Sequence, residues 1–203
     1  MLTCQTSTLV IMNKQLESVP AGLLEEEKPA PMPLLLVQGF VNTLDLEAGT
    51  DALAEVNEAR PWLVRSGLLN RRAEISSVDL AFARKVRESI RSLLVPNHNF
   101  DPGALAPLRA LADHGRARLS VSHQGELSLE NSGADELGEA LFGLLLIIHA
   151  AQQDGTWKRL KACANPECAW VFYDRSRNQQ GAWCEMAVCG NRLKNREFRA
   201  RRR

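Results

Sequence analysis

The stretch CANPECAWVFYDRSRNQQGAWCEMAVC, residues 163–189, places four cysteines in the pattern C-x4-C-x15-C-x4-C. Two close pairs separated by a short insert are what a four-coordinate metal asks of a chain. Each pair supplies two thiolates from one tight turn, and the insert returns the second pair to complete a tetrahedron. Cys163, Cys168, Cys184 and Cys189 are therefore the candidate ligands. A soft four-sulfur set selects Zn²⁺ over hard cations, with an iron–sulfur cluster as its rival. Four protein ligands leave no open position for a substrate, so a structural metal is expected rather than a catalytic one. Asn165-Pro166 marks a turn inside the first pair, and Trp170, Val171, Phe172 and Tyr173 predict a short strand or hairpin under the metal. Cys4 is unpaired and is not counted with them. A redox thiol pair would more often be spaced C-x-x-C.

Downstream of the cysteines the chain becomes strongly basic. If the stretch after Gly190 is helical, Arg192, Arg196, Arg199 and Arg203 recur at i, i+4, i+7 and i+11 and share one face, with Leu193 and Phe198 off it. Four thiolates on one divalent cation leave a surplus of negative charge that nearby cations offset. The arginines outnumber that need, and guanidinium forks match phosphate oxygens. Arg175, Arg177, Arg192, Lys194, Arg196, Arg199 and Arg203 are the candidate nucleic-acid contacts. The charge split points the same way. Residues 156–203 carry 12 Lys and Arg against 4 Asp and Glu, whereas residues 1–155 carry 13 against 20. A solvated face, or an arm that grips an acidic protein, is the competing reading of such a tail.

Upstream, the texture is that of a helical domain. Residues 1–32 end in the run EEEKPAPM (25–32), acidic and then broken by prolines, and are expected to be a flexible leader, with Met12 or Met32 as an alternative expected start. LLLVQGFVNTLD, from Leu34, is apolar and fits either a helix or a buried strand. Thr50 or Asp51 is a plausible helix cap, Pro61 is expected to begin a second short helix, and Gly67 to stop it. SSVDLAFARKVRESIRSLLV is the clearest helix, with Leu80, Ala83, Val86, Ile90, Leu93 and Leu94 in one apolar stripe and Pro96 as its end. PGALAPLRALADHG predicts another short helix. RARLSVSHQGELSLE alternates apolar and polar residues on both sides of a turn, which predicts a β-hairpin. A long helix from about Ala134 to Gln153 is apolar nearly all round and is expected at the centre of the core.

The expected fold is α+β: a mostly helical N-terminal domain over 33–155 with one hairpin, then a small C-terminal zinc module over 156–203 ending in a basic helix. The longest apolar run, ALFGLLLIIHAA, is 12 residues and too short to span a bilayer. With no secretory signal at the start, a cytoplasmic protein with reduced thiols is expected. No Ser/His/Asp set, carboxylate pair or phosphate loop argues for an enzyme.

Cys163–Arg203 resembles the CGNR zinc finger, whose tetrapeptide is here Cys189-Gly190-Asn191-Arg192. FYDRSRN (Phe172–Asn178) and WCEMAVCGNR (Trp183–Arg192) carry the resemblance. Where that family tends to place further basic residues before the Trp-Cys, this chain has QQGA, a departure that removes a cation and leaves the metal set intact. Residues 34–155 resemble the ABATE domain, a stress-induced transcription regulator by its label, on FVNTLD (Phe40–Asp45) and ARPWLVRSGLL (Ala59–Leu69). The resemblance implies a DNA-binding zinc module joined to a domain that senses a small-molecule ligand or forms a homodimer. Asn191 and Arg192 then have two readings: closing the turn beside the metal, or contacting phosphate.

Overall fold

The longest amphipathic stripe begins at a capping box. Ser76 Oγ accepts from the Asp79 amide at 3.2 Å, and the Asp79 carboxylate accepts from the Ser76 amide at 2.9 Å. These bonds hold the Asp79 carboxyl below its ordinary value. The helices are α1 (Leu34–Val41), α2 (Val56–Arg65), α3 (Ser77–Leu94), α4 (Ala106–His114) and α5 (Leu137–Asp154). Among the described residues the strands form three two-stranded antiparallel sheets: β1 (Leu44–Asp45) with β2 (Thr50–Asp51), β3 (Ala117–Val121) with β4 (Leu127–Asn131), and β5 (Leu160–Ala162) with β6 (Val171–Tyr173). The computed structural model describes residue 23 and residues 26–95, 101–131 and 136–192.

The ambiguous apolar run is helix α1, and all eight of its residues are buried between α3 and α5. On α3 the stripe Leu80, Ala83, Val86, Ile90 and Leu94 is buried and Leu93 is half-buried. Helix α5 buries Leu137, Leu141, Leu144, Ile147 and Ile148 and stops at Gly155, whose left-handed φ of 80° suits a glycine.

The expectation for Thr50, Asp51 and Pro61 is corrected. Asp51 caps no helix. It accepts from the Leu53 amide and pairs with Arg87, while its backbone lies in β2. Pro61 lies inside α2, which starts at Val56. Pro61 is exposed there, and burial of Ala59 and Leu63 offsets the one missing N–H. Gly67 does end the segment, with φ 76°.

One apolar core runs through both halves of the chain. Leu160, Ala162, Val171 and Tyr173 of the second half belong to the same buried cluster as Phe40, Val86 and Ile90.

The expected leader is corrected at its C-terminal end. Leu23 is buried against α1, where a Cβ on residue 39 would overlap it, so Gly39 makes room for that packing. Residues 26–30 lie along β6: the Tyr173 amide donates to the Lys28 carbonyl at 3.0 Å, and Arg175 to the Pro29 carbonyl at 2.9 Å. Covering an edge strand satisfies backbone groups that proline and charge alone would leave open. Residues 1–22 and 24–25, and the expected basic helix with Lys194, Arg196, Arg199 and Arg203, lie outside the described residues.

Candidate metal centre and its polar mount

Each cysteine pair sits on a turn that its own sequence builds. Cys163 leaves β5 with its amide bonded to the Trp170 carbonyl at 2.9 Å. The Asn165 carbonyl then accepts from the amides of Cys168 at 3.0 Å and Ala169 at 2.9 Å, turning the chain back. Ala169 takes a left-handed φ of 48°, which a small side chain tolerates better than a bulky one. In the second pair the Glu185 carbonyl accepts from Cys189 at 3.0 Å and from Gly190 at 3.3 Å, a wide turn over Met186–Gly190.

The four sulfurs lie within 4.8 Å of one another, and Cys184 Sγ is 3.6 Å from both Cys168 Sγ and Cys189 Sγ. A tetrahedral Zn²⁺ with bonds of about 2.3 Å would space its sulfurs at about 3.8 Å. The donor set and its spacing therefore fit the ion. The electrostatics show what a cation adds. Cys163 accepts hydrogen bonds from Cys168 and Cys184 and from the amides of Cys184 and Asn165, which holds its thiol far below the ordinary value. Donating to Cys163 pushes Cys168 up to about 12 and drives Cys184 higher still. So close a set cannot be four thiolates until a cation joins it. Trp170 and Trp183 pack against the buried sulfurs, and Asn165 Nδ2 lies 4.0 Å from Cys189 Sγ.

Behind the sulfurs is a polar mount that composition and motif reading missed. Asn42 of α1 grips β6 through both halves of its amide: Oδ1 accepts from the Val171 amide at 2.8 Å, and Nδ2 donates to the Val171 carbonyl at 2.8 Å. Gln38, one turn earlier, donates to the same carbonyl at 3.2 Å and accepts from the Ala30 amide at 2.7 Å. Arg91 of α3 donates to the Ala169 carbonyl in the first cysteine turn and to the Val41 carbonyl, both at 2.8 Å. Glu26 receives Asn42 at 2.9 Å, Trp170 Nε1 at 3.1 Å and Gln38 at 3.2 Å; burial nevertheless pushes its carboxyl up. Among the described residues no buried side-chain nitrogen or oxygen lacks a partner. The sequence did carry a signal: two amides four residues apart, Gln38 and Asn42, inside an otherwise apolar run.

The FYDRSRN segment is organised by Asp174. Burial raises its carboxyl, but hydrogen bonds from Lys161 Nζ at 2.8 Å, the Ser176 amide at 2.9 Å and the Gly181 amide at 2.7 Å hold it well below the carboxylate range. Arg159 donates to the Asp174 and Ser176 carbonyls. Of the candidate nucleic-acid contacts, Arg175, Arg177 and Arg192 are exposed. Arg175 is tied to Pro29, and Arg192 pairs with Glu47 of the β1–β2 turn at 2.5 Å. Asn191 Nδ2 donates to the Ala187 carbonyl at 2.9 Å, closing the wide turn.

Comparison with family models places this geometry. Residues 159–202 match the CGNR zinc finger, and residues 36–154 match ABATE, described as "Putative stress-induced transcription regulator". The chain belongs to the ABATE family. Its metal module is of the CGNR type, so the Cys163, Cys168, Cys184 and Cys189 cluster coincides with a zinc-finger match. Both family labels are regulatory or zinc-finger types rather than enzymatic ones. A search of curated proteins finds no match. Among the described residues no helix is long and apolar enough to cross a membrane.

Proposed function

We propose that this ABATE protein is a cytoplasmic transcription regulator that binds DNA through a zinc-stapled module and its basic tail. The supporting observation is that the sulfur cluster fixes Cys189 at the root of the tail. Cys189, buried within that cluster, stands just before the arginine-rich stretch in the sequence. Zn²⁺ held by the four cysteines supplies cross-linking of the two turns and no chemistry on a substrate. Arg177, Arg192, Lys194, Arg196, Arg199 and Arg203 then meet phosphates, with Arg175 shared between phosphate and the Pro29 carbonyl.

The helical domain supplies the sensing half of this reading. A groove of about 460 Å³ lies between α3, α4, α5 and β4. Phe82, Leu111 and Phe142 line it together with His114, Arg116 and Glu139, a lining suited to a small molecule with an apolar body and a polar edge. Helix α3 reaches both places, with Phe82 at the groove and Arg91 at the cysteine turn, about 14 Å apart along the helix. Stress induction is the role the family label suggests.

Duplex DNA binding across a salt series tests the proposal. Wild type binds at low salt, a chelator abolishes binding, and Arg196→Ala with Arg199→Ala and Arg203→Ala reduces the log–log salt slope by roughly 2.7, about 0.9 per lost phosphate contact. Absence of binding at low salt defeats this reading. It leaves the adaptor reading, in which the module grips an acidic protein. One observation favours that alternative: Arg192 already holds a carboxylate, that of Glu47.

A further inference from the structure

The loop 174–181 has its backbone tied inward and leaves two guanidinium groups and two amides outside. Two cations hold it from beneath. Arg159 donates to the Asp174 carbonyl at 3.0 Å and to the Ser176 carbonyl at 3.1 Å. Lys161 Nζ donates to the Gln179 carbonyl at 2.6 Å, to the Gly181 carbonyl at 3.3 Å and to the Asp174 carboxylate at 2.8 Å. That carboxylate also accepts from the Ser176 and Gly181 amides. Gln179 takes a left-handed φ of 50°, and a Cβ on residue 181 would lie 2.9 Å from the Asp174 carboxyl carbon, so the loop closes tightly over a glycine. Four carbonyls and one carboxylate are thus satisfied from within, while Arg175, Arg177, Asn178 and Gln180 are exposed. Among the described residues nothing engages the side chains of Arg177, Asn178 and Gln180. Arg175–Cys184 contains no Asp or Glu.

We infer that this loop reads bases in the major groove of DNA, with Asn178 and Gln180 as its specificity-determining residues. The inference rests on the DNA binding proposed above and adds sequence preference to it. A guanidinium on phosphate positions a protein but carries no sequence information. A side-chain amide offers a donor and an acceptor side by side, the complement of adenine N6 and N7. The carboxylates of an acidic protein offer acceptors only, and would leave the acceptor half of each amide unused. Base reading also needs side chains carried on a backbone that holds its shape, and the Arg159 and Lys161 bonds supply that. Residues 178 and 180 are at most about 7 Å apart along the chain. The pair therefore covers no more than about two base-pair steps of roughly 3.4 Å each.

Selection from a randomised duplex library by the full zinc-loaded chain tests this. Wild type enriches adenine at one or two neighbouring positions. Replacing that adenine with 7-deazaadenine, which lacks the N7 acceptor, weakens binding about fivefold or more. Asn178→Ala combined with Gln180→Ala abolishes the enrichment, while affinity for the unselected library stays within about twofold. Both side chains are exposed, so zinc content and melting temperature stay as in wild type. Arg177→Ala weakens binding to every sequence alike and lowers the log–log salt slope by about 0.9. A wild type that binds duplex and enriches nothing overturns the inference and leaves DNA binding standing. So does an enrichment that survives the double variant, or an enriched adenine indifferent to the 7-deaza change. A double variant weakened equally on all sequences overturns it too, and makes the amides phosphate contacts. A wild type that binds no duplex at low salt defeats the DNA reading itself, and this inference with it.

Discussion

The helical half and the metal half of this core are held by different physics. Around α1, α3 and α5 the contacts are mostly leucine, isoleucine and valine, non-directional and proportional to area. Around β5 and β6 the strands are only three residues long, and besides their buried side chains the chain is fixed by sulfur, amide and guanidinium groups aimed at named backbone atoms. The first kind of contact degrades gradually when one side chain is trimmed. The second fails at once, because losing one partner strands another in a dry site. The two halves also share one cluster through Leu160, Ala162, Val171 and Tyr173, so failure on the metal side should reach the helices.

Metal removal is the strongest way to break the comparison. Structural zinc contributes about 10–16 kcal/mol in zinc-finger peptides, more than a typical domain's whole stability of about 5–15 kcal/mol. Elemental analysis is expected to find one Zn²⁺ per chain, and Cys184→Ser or a strong chelator to unfold residues 160–192. The helical half is expected to melt at lower temperature in the same sample, since it loses part of its core. An unchanged helical melt would show that the shared cluster is not energetically shared.

Next come the residues that join the halves. Asn42→Ala leaves the Val171 amide and Glu26 without a principal partner, and Arg91→Ala leaves the Ala169 and Val41 carbonyls without their donor. Each is expected to cost about 2–4 kcal/mol in urea unfolding, on the scale of stranded buried polar groups. Leu23→Ala is expected to cost about 2–4 kcal/mol as a core truncation, and removal of residues 1–32 more than that. A truncated chain as stable as the full one would mean that the contacts of residues 23–32 contribute nothing net.

What the sequence made legible follows the same division. The cysteine pairs, the α3 stripe, the α5 core helix and the existence of the β3–β4 hairpin could all be read, because each is a periodic or spacing signal within one segment. The mount could not. Gln38 and Asn42 matter because of Val171, some 130 residues away, and no local pattern encodes that pairing. Pro61 misled for a related reason: tertiary burial of Ala59 and Leu63 outweighed a local helix-start preference. Leu23 and Glu26 were hidden by an acidic, proline-rich composition that reads as a leader.

Asp174 gives a pH-dependent version of the contrast. Its carboxyl is held below the ordinary 3.8, so it contributes stability that is present above that value and is lost as pH falls through the lower folded value. Asp174→Asn is therefore expected to destabilise at pH 7 by about 1–3 kcal/mol. The gap between variant and wild type should narrow as pH drops below about 4. A gap that is constant with pH would mean that the loop needs the shape of this side chain and not its charge.

The smallest expected effects separate Asn191 from Arg192, adjacent residues with two competing roles. Asn191 closes the wide turn through the Ala187 carbonyl, two residues before the candidate ligand Cys189. Asn191→Ala is expected to speed zinc loss to a chelator and to lower the melting temperature slightly. Arg192 is solvent-exposed, and its described partner, the Glu47 carboxylate, is equally exposed. Exposed pairs of this kind add little to stability, because water competes for both ends. Arg192→Ala is therefore expected to leave the melting temperature and the chelator rate unchanged, and to weaken DNA binding. Glu47→Gln should do the reverse to affinity, since it releases Arg192 for phosphate without touching the metal turn. If Arg192→Ala instead accelerates zinc loss as much as Asn191→Ala, the tetrapeptide acts as one structural unit, and phosphate contact begins beyond it.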